Sequence, residues 1–175
     1  WKKISSIPNN AYLNCIFNWI DSTNHVFDFK KKFSPDIYYA NKYENINSDP
    51  KTYIKKLTDF IGVELEDILF EPDKWKKTFN PKLVAIPKSA HDGEGIVGYA
   101  EKRINNWKKN LEDWEICLID HLCGKNMEKL GYELIYKNVN ENDALLLKGF
   151  SEIKKNKFVY ENYLKYVKTG EGINK

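Results

Sequence analysis

The residues of this chain able to do chemistry fall into three groups: a Cys-His-Cys cluster, a glycine-rich turn and several carboxylate pairs. Cys117, His121 and Cys123 are soft-metal ligand types. A metal needs side chains that converge on one point, and a six-residue offset along a helix does not converge. They read instead as small core residues with one satisfied histidine, and His25 and His91 stand alone. The turn "GEGIVG" at 93–98 matches G-x-G-x-x-G, whose glycines let backbone approach a pyrophosphate. That motif follows a buried strand directly, whereas here "PKSAHD" precedes it and Glu94 would set a carboxylate against the phosphates. It reads as a loop feeding a helix. Glu64, Glu66 and Asp67, like Glu112, Asp113 and Glu115, read as acids at helix N-termini, where the macrodipole favours them. No metal set and no catalytic group is assigned.

The elements that must position any site are written more clearly. Asp49 is a good N-cap, and Pro50 suits the first helical position because it loses no hydrogen bond there. Tyr53, Ile54, Leu57, Phe60 and Ile61 share one helical face, and Gly62 supplies a left-handed C-cap. A helix is therefore predicted over 50–61. Before it, "IYYANKY" at 37–43 is aromatic and β-branched and predicts a strand. "LVAI" at 83–86 and "YELIY" at 132–136 predict further short strands. Helices are predicted near 8–20, with a break at "DST" 21–23, over about 97–111 with Trp107 in its core stripe, and from about Glu112 to Gly131. Residues 63–96 read as a long loop. From 137 onward, Leu146, Phe150, Ile153, Tyr160, Leu164 and Val167 keep a three-four rhythm, which predicts one helix, long or broken at Gly149, with a frayed tail.

Composition narrows the function classes. The chain has 175 residues, 42% of them apolar, enough for one packed domain or part of one. Net charge is +3 and Arg103 is the only arginine, which disfavours a nucleic-acid binder; "DKWKKTF" at 73–79 is the single stretch that fits one. No run is long enough to span a membrane. Three cysteines without framework spacing favour a reducing, cytoplasmic setting. The start at Trp1 reads as a cut through a longer protein.

The order of segments carries a further signal. "KYENINSDP" is followed by "LTDFIGVE", then "DKWKKTFNPK", "KRINNWKKNL" and "CGKNMEKLGYEL". This order resembles the C-terminal half of the sulfotransferases that use 3′-phosphoadenosine 5′-phosphosulfate (PAPS). In that family a strand ends in Tyr-Glu-Asp, a D-P helix ends in F-L-G, a Trp-Lys pair follows, and the last helix ends in Leu-Gly-Tyr. The resemblance covers about residues 10–136. Asn45 departs from the family's Asp, and Ala100, Glu101 and Lys102 stand where cytosolic members carry Arg-Lys-Gly.

The resemblance implies an α/β fold: part of a P-loop-like sulfotransferase domain, mostly helical here, with one central parallel strand at about 37–43. Residues 1–136 would form the C-terminal half of that domain and 137–175 a helical extension. Tyr43 would meet the adenine from a strand end, and Glu44 would hold the turn. Phe79 would cover the other face of the base, with Trp75 as competitor. Lys102 and Arg103 would serve the 3′-phosphate, with Ser89 and Lys88 as second choices. PAPS would be the co-substrate, and the acceptor is unspecified. The family's phosphosulfate loop and catalytic base have no counterpart, so the chain is expected to be inactive alone. The alternative is a non-enzymatic helical interaction module, using 137–175 to pair with a partner or a second copy.

Overall fold

The computed structural model describes residues 10–71, 99, 101 and 104–173. The chain divides into two compact units, residues 1–32 with 111–175 and residues 33–110. Among its described residues the first unit is a bundle of α1 (Asn14–Lys32), α4 (Asp113–Lys129), α5 (Ala144–Lys154) and α6 (Lys157–Thr169), led by a 3₁₀ turn at Ala11–Leu13. The second holds α2 (Tyr43–Ser48), α3 (Pro50–Ile61) and 3₁₀ turns at Asp67–Phe70 and Asn106–Lys109. No described helix is long and apolar enough to cross a membrane.

The described residues contain no strand, which overturns the expected α/β class and P-loop-like sheet. A strand needs a neighbouring ladder to satisfy its backbone, and each candidate finds another solution. At 37–43, the N–H groups of Ile37 and Tyr38 turn back to the Ser34 carbonyl. The Tyr39 ring stacks on Phe60 at 5.4 Å, and Tyr43 already belongs to α2. At 132–136, Ile135 and Tyr136 both donate their N–H groups to Asp120 Oδ2 at 2.8 Å, so a side chain replaces a ladder partner. The segment 83–86 lies outside the described residues.

α3 forms as its sequence requires. Asp49 accepts from the Thr52 N–H at 3.2 Å, Pro50 opens the helix, and Gly62 closes it at φ 73°. α1 runs unbroken through 21–23 because the Thr23 hydroxyl returns to the Trp19 and Ile20 carbonyls at 2.9 Å, inside the helix. Phe17, Leu118, Leu146, Ile153 and Val159, almost fully buried, make the centre of the bundle. The break in the C-terminal helical region falls at Lys155–Asn156, where Asn156 caps α6, and not at Gly149. Gly149 is helical and buried, with α4 packed hard against it. Trp107 is 42% exposed on a 3₁₀ turn, with Lys108 5.5 Å from its ring, so the described part of 97–111 does not bury it.

The bundle sorts the cysteines. Cys15 is exposed and Cys117 and Cys123 are buried, all as free thiols. Burial raises the Cys117 thiol, and burial with the nearby Asp120 pushes the Cys123 thiol up to about 12. Thiolates are the reactive form, so a thiol reagent at neutral pH is expected to label Cys15 alone in the folded chain. That reaction is expected to run more slowly than with free cysteine, since partial burial also raises Cys15. Counting labelled thiols before and after denaturation checks this; a second or third thiol reacting at the Cys15 rate would contradict the packing.

Candidate functional site

The segment 41–50 builds the one site that sequence and structure both address. Lys42 is extended, and the chain then turns into the six residues of α2. Polar side chains fix that turn. The buried Asn47 amide donates to the Tyr43 carbonyl at 2.9 Å, Asn45 donates to Asn41 Oδ1 at 3.2 Å, and the Ser48 hydroxyl lies 3.3 Å from the Asn45 carbonyl. Asp49 then caps α3. The turn sets Tyr43 as the first residue of α2, 54% exposed. Two residues earlier, Asn41 Nδ2 is buried without a hydrogen-bond partner among the described residues.

Of the sequence-predicted site residues, only Tyr43 is placed. Phe79, Ser89, Lys102 and Arg103 lie outside the described residues, as do Trp75, Lys88 and the turn 93–98. Glu44 lies in the first turn of α2, as an acid at a helix N-terminus should.

The bundle buries polar groups whose burial and distant partners the sequence does not report. Glu115 is 1% exposed. It accepts from the Tyr12 hydroxyl at 2.6 Å and from the Glu112 N–H at 2.7 Å, closing a capping box at the start of α4. Burial first, then the Glu115 carboxylate, holds the Tyr12 phenol protonated far above its ordinary range. Asn162 is fully buried and donates to Asn14 Oδ1 at 2.6 Å. Asn126 ties α4 to α1 through Thr23 at 2.8 Å and Asn24 at 3.0 Å. These contacts cross the bundle and fix its register.

Two open cavities flank these helices. One of about 280 Å³ is lined by Asp120, His121, Lys125, Tyr136 and Lys137 among others. Asp120 is engaged there by two N–H groups, and His121 meets Phe150 edge-on at 5.7 Å. The other, about 290 Å³, lies between α1 and the start of the C-terminal segment, with Lys129 5.1 Å from the Phe27 ring. No described group of three or more His, Cys, Asp or Glu side chains is arranged to hold a metal ion. No family model matches the chain, and no solved structure matches it.

Proposed function

We propose that this chain is part of a PAPS-dependent sulfotransferase and supplies the adenine side of the cofactor site. One observation carries the reading most directly: Tyr43 stands in an asparagine-bonded turn with its side chain half in solvent. An exposed ring at the start of a short helix is suited to stacking on a nucleobase. The Asn41 side-chain amide, two residues before Tyr43 and without a hydrogen-bond partner among the described residues, would add a donor for the same ligand. The order of Tyr-Glu, Asp-Pro, Phe-Ile-Gly and Leu-Gly-Tyr segments adds support. The ring is carried by a short helix here, not by the strand end first expected.

In this reading Phe79 would lie on the other face of the base, and Lys102 and Arg103 would meet the 3′-phosphate, with Ser89 and Lys88 as second choices. An acceptor hydroxyl or amine attacks sulfur in line. The new bond to sulfur forms as the sulfur–oxygen bond to the 5′-phosphate breaks. A base removes the acceptor's proton, and adenosine 3′,5′-bisphosphate leaves with the bond's electron pair. Positioning and electrostatic stabilisation do most of the work, as in phosphoryl transfer.

Titration of the chain with adenosine 3′,5′-bisphosphate tests this. Saturable binding is expected, tighter than for adenosine 5′-monophosphate, with no sulfate transfer by the chain alone. Tyr43→Ala is expected to weaken binding about 5- to 150-fold, the worth of one base–aromatic stack of about 1–3 kcal/mol. Lys102→Ala with Arg103→Ala is expected to erase the preference for the 3′-phosphate. Absence of saturable binding, or a Tyr43→Ala chain that binds as well as the parent, would overturn the reading.

A second reading has its own observation. Leu147, Phe158, Leu164 and Val167 on α5 and α6 are each about half exposed or more. A helical module that pairs with a second copy would use such side chains. Failure of nucleotide binding together with a mass that doubles on raising the concentration would favour it.

A further inference from the structure

The C-terminal residues were expected to fray, yet residues 170–173 fold back onto α1. The Asp21 carboxylate accepts from two consecutive backbone N–H groups, those of Gly172 and, at 2.8 Å, Ile173. The Asn24 amide donates to the Gly170 carbonyl at 3.3 Å. Lys165 reaches the Ile173 carbonyl and lies 3.0 Å from the Glu171 carboxylate. The Ile173 side chain packs on the bundle core. At Gly172 the fit is exclusive, because a Cβ there would overlap the Phe17 carbonyl oxygen. Each position thus has its own recognition element: a cation for the acid, a backbone surface that only glycine can approach, and an apolar seat for the aliphatic residue.

We propose that α1, with Lys165 of α6, forms a docking site for a peptide of the type acidic–Gly–aliphatic, filled in cis by residues 171–173 as a releasable strap. The strap is held by the Asp21 carboxylate, the Asn24 amide, the Lys165 ammonium and the Ile173 side chain, while the bundle beneath it rests on a continuous core. Its opening therefore costs far less than unfolding, and segments of this kind open locally. Thr169, Gly170 and Glu171 also wall the 290 Å³ cavity beside α1, so release of the strap widens that cavity.

Gly172→Val expels the strap and leaves the docking site vacant in the full chain. A fluorescent peptide of sequence TGEGINK, matching residues 169–175, is expected to bind this variant saturably and to raise its melting temperature. The parent chain, whose site is filled, is expected to bind at least tenfold more weakly. Asp21→Asn in the Gly172→Val background is expected to weaken the peptide roughly tenfold or more, since an amide cannot receive both N–H groups. A folded Gly172→Val chain that binds no peptide, or binds it no better than the parent, overturns the proposal. Should that variant fail to fold, amide exchange on the parent decides. The Gly172 and Ile173 amides are expected to be protected and to lose protection in Asp21→Asn; free exchange of both in the parent overturns the proposal equally.

Discussion

Replacing Glu115 by alanine is expected to destabilise the chain by about 3–5 kcal/mol, because hydrogen bonds to a charged group contribute about 1.5–3 kcal/mol each and two are lost together. The carboxylate is buried at the base of α4, where it receives the Tyr12 hydroxyl and the Glu112 N–H on separate oxygens. Alanine leaves both donors without an acceptor, one of them on a phenol that burial keeps protonated. Glutamine keeps the shape but turns one N–H group toward a donor, so it is expected to fall between the two. Glu112, whose exposed side chain caps the same helix and accepts from the Trp114 indole N–H at 2.8 Å, is the comparison, with an expected loss of about 1–2 kcal/mol on change to alanine. Urea unfolding followed by far-ultraviolet circular dichroism measures all three. In a double-mutant cycle, Tyr12→Phe and Glu115→Ala are expected to couple by more than about 1 kcal/mol, since they share one bond. A Glu115→Ala loss no larger than that of Glu112→Ala would mean the carboxylate does not bridge α1 and α4.

What was legible in the sequence was local. The Asp49-Pro50 start and Gly62 stop of α3 need no information from elsewhere, because a cap, a preset φ and a positive φ act within one helical turn. The strand at 37–43 failed for the opposite reason. Aromatic and β-branched residues fit a pleated surface, but only a partner strand makes one, and none is present among the described residues. "DST" at 21–23 looked like a break because Ser and Thr compete for backbone groups; Thr23 does compete, but by returning its hydroxyl to carbonyls within α1. Glu115 was read correctly as an acid near a helix start. Its burial depends on Tyr12, 103 positions away, which no local pattern reports. Tyr43 was legible as an aromatic before a capped helix, although its support turned out to be asparagine bonds and a short helix. The fraying expected of the tail overlooked Gly172, whose missing side chain is what admits the strap against Phe17.

Gly149→Leu is expected to cost about 3 kcal/mol or more, the upper end of what overpacking a core costs. In isolation a glycine inside a helix costs about 1 kcal/mol relative to alanine, which is why this position suggested a break. The fold accepts that cost because a Cβ at 149 would lie 3.0–3.3 Å from the Cβ, Cδ1 and Cδ2 atoms of Leu118. Leu118 is fully buried in α4, in an interior where close packing leaves little room for a side chain to shift. α4 and α5 therefore approach as closely as a bare backbone allows. Gly149→Ala sets the two effects against each other: the helix gains about 1 kcal/mol, the contact loses a comparable amount or more, and the net loss is expected to be about 0–2 kcal/mol. The leucine variant has no such compensation. Leu118→Ala alone is expected to cost about 3–5 kcal/mol through its cavity. Combined with Gly149→Leu it opens room on α4 for the added side chain on α5, so the double variant is expected to lose less than the sum of the two single losses. Additive losses in that cycle would show that Gly149 does not face Leu118, and the close approach of the two helices would need another cause.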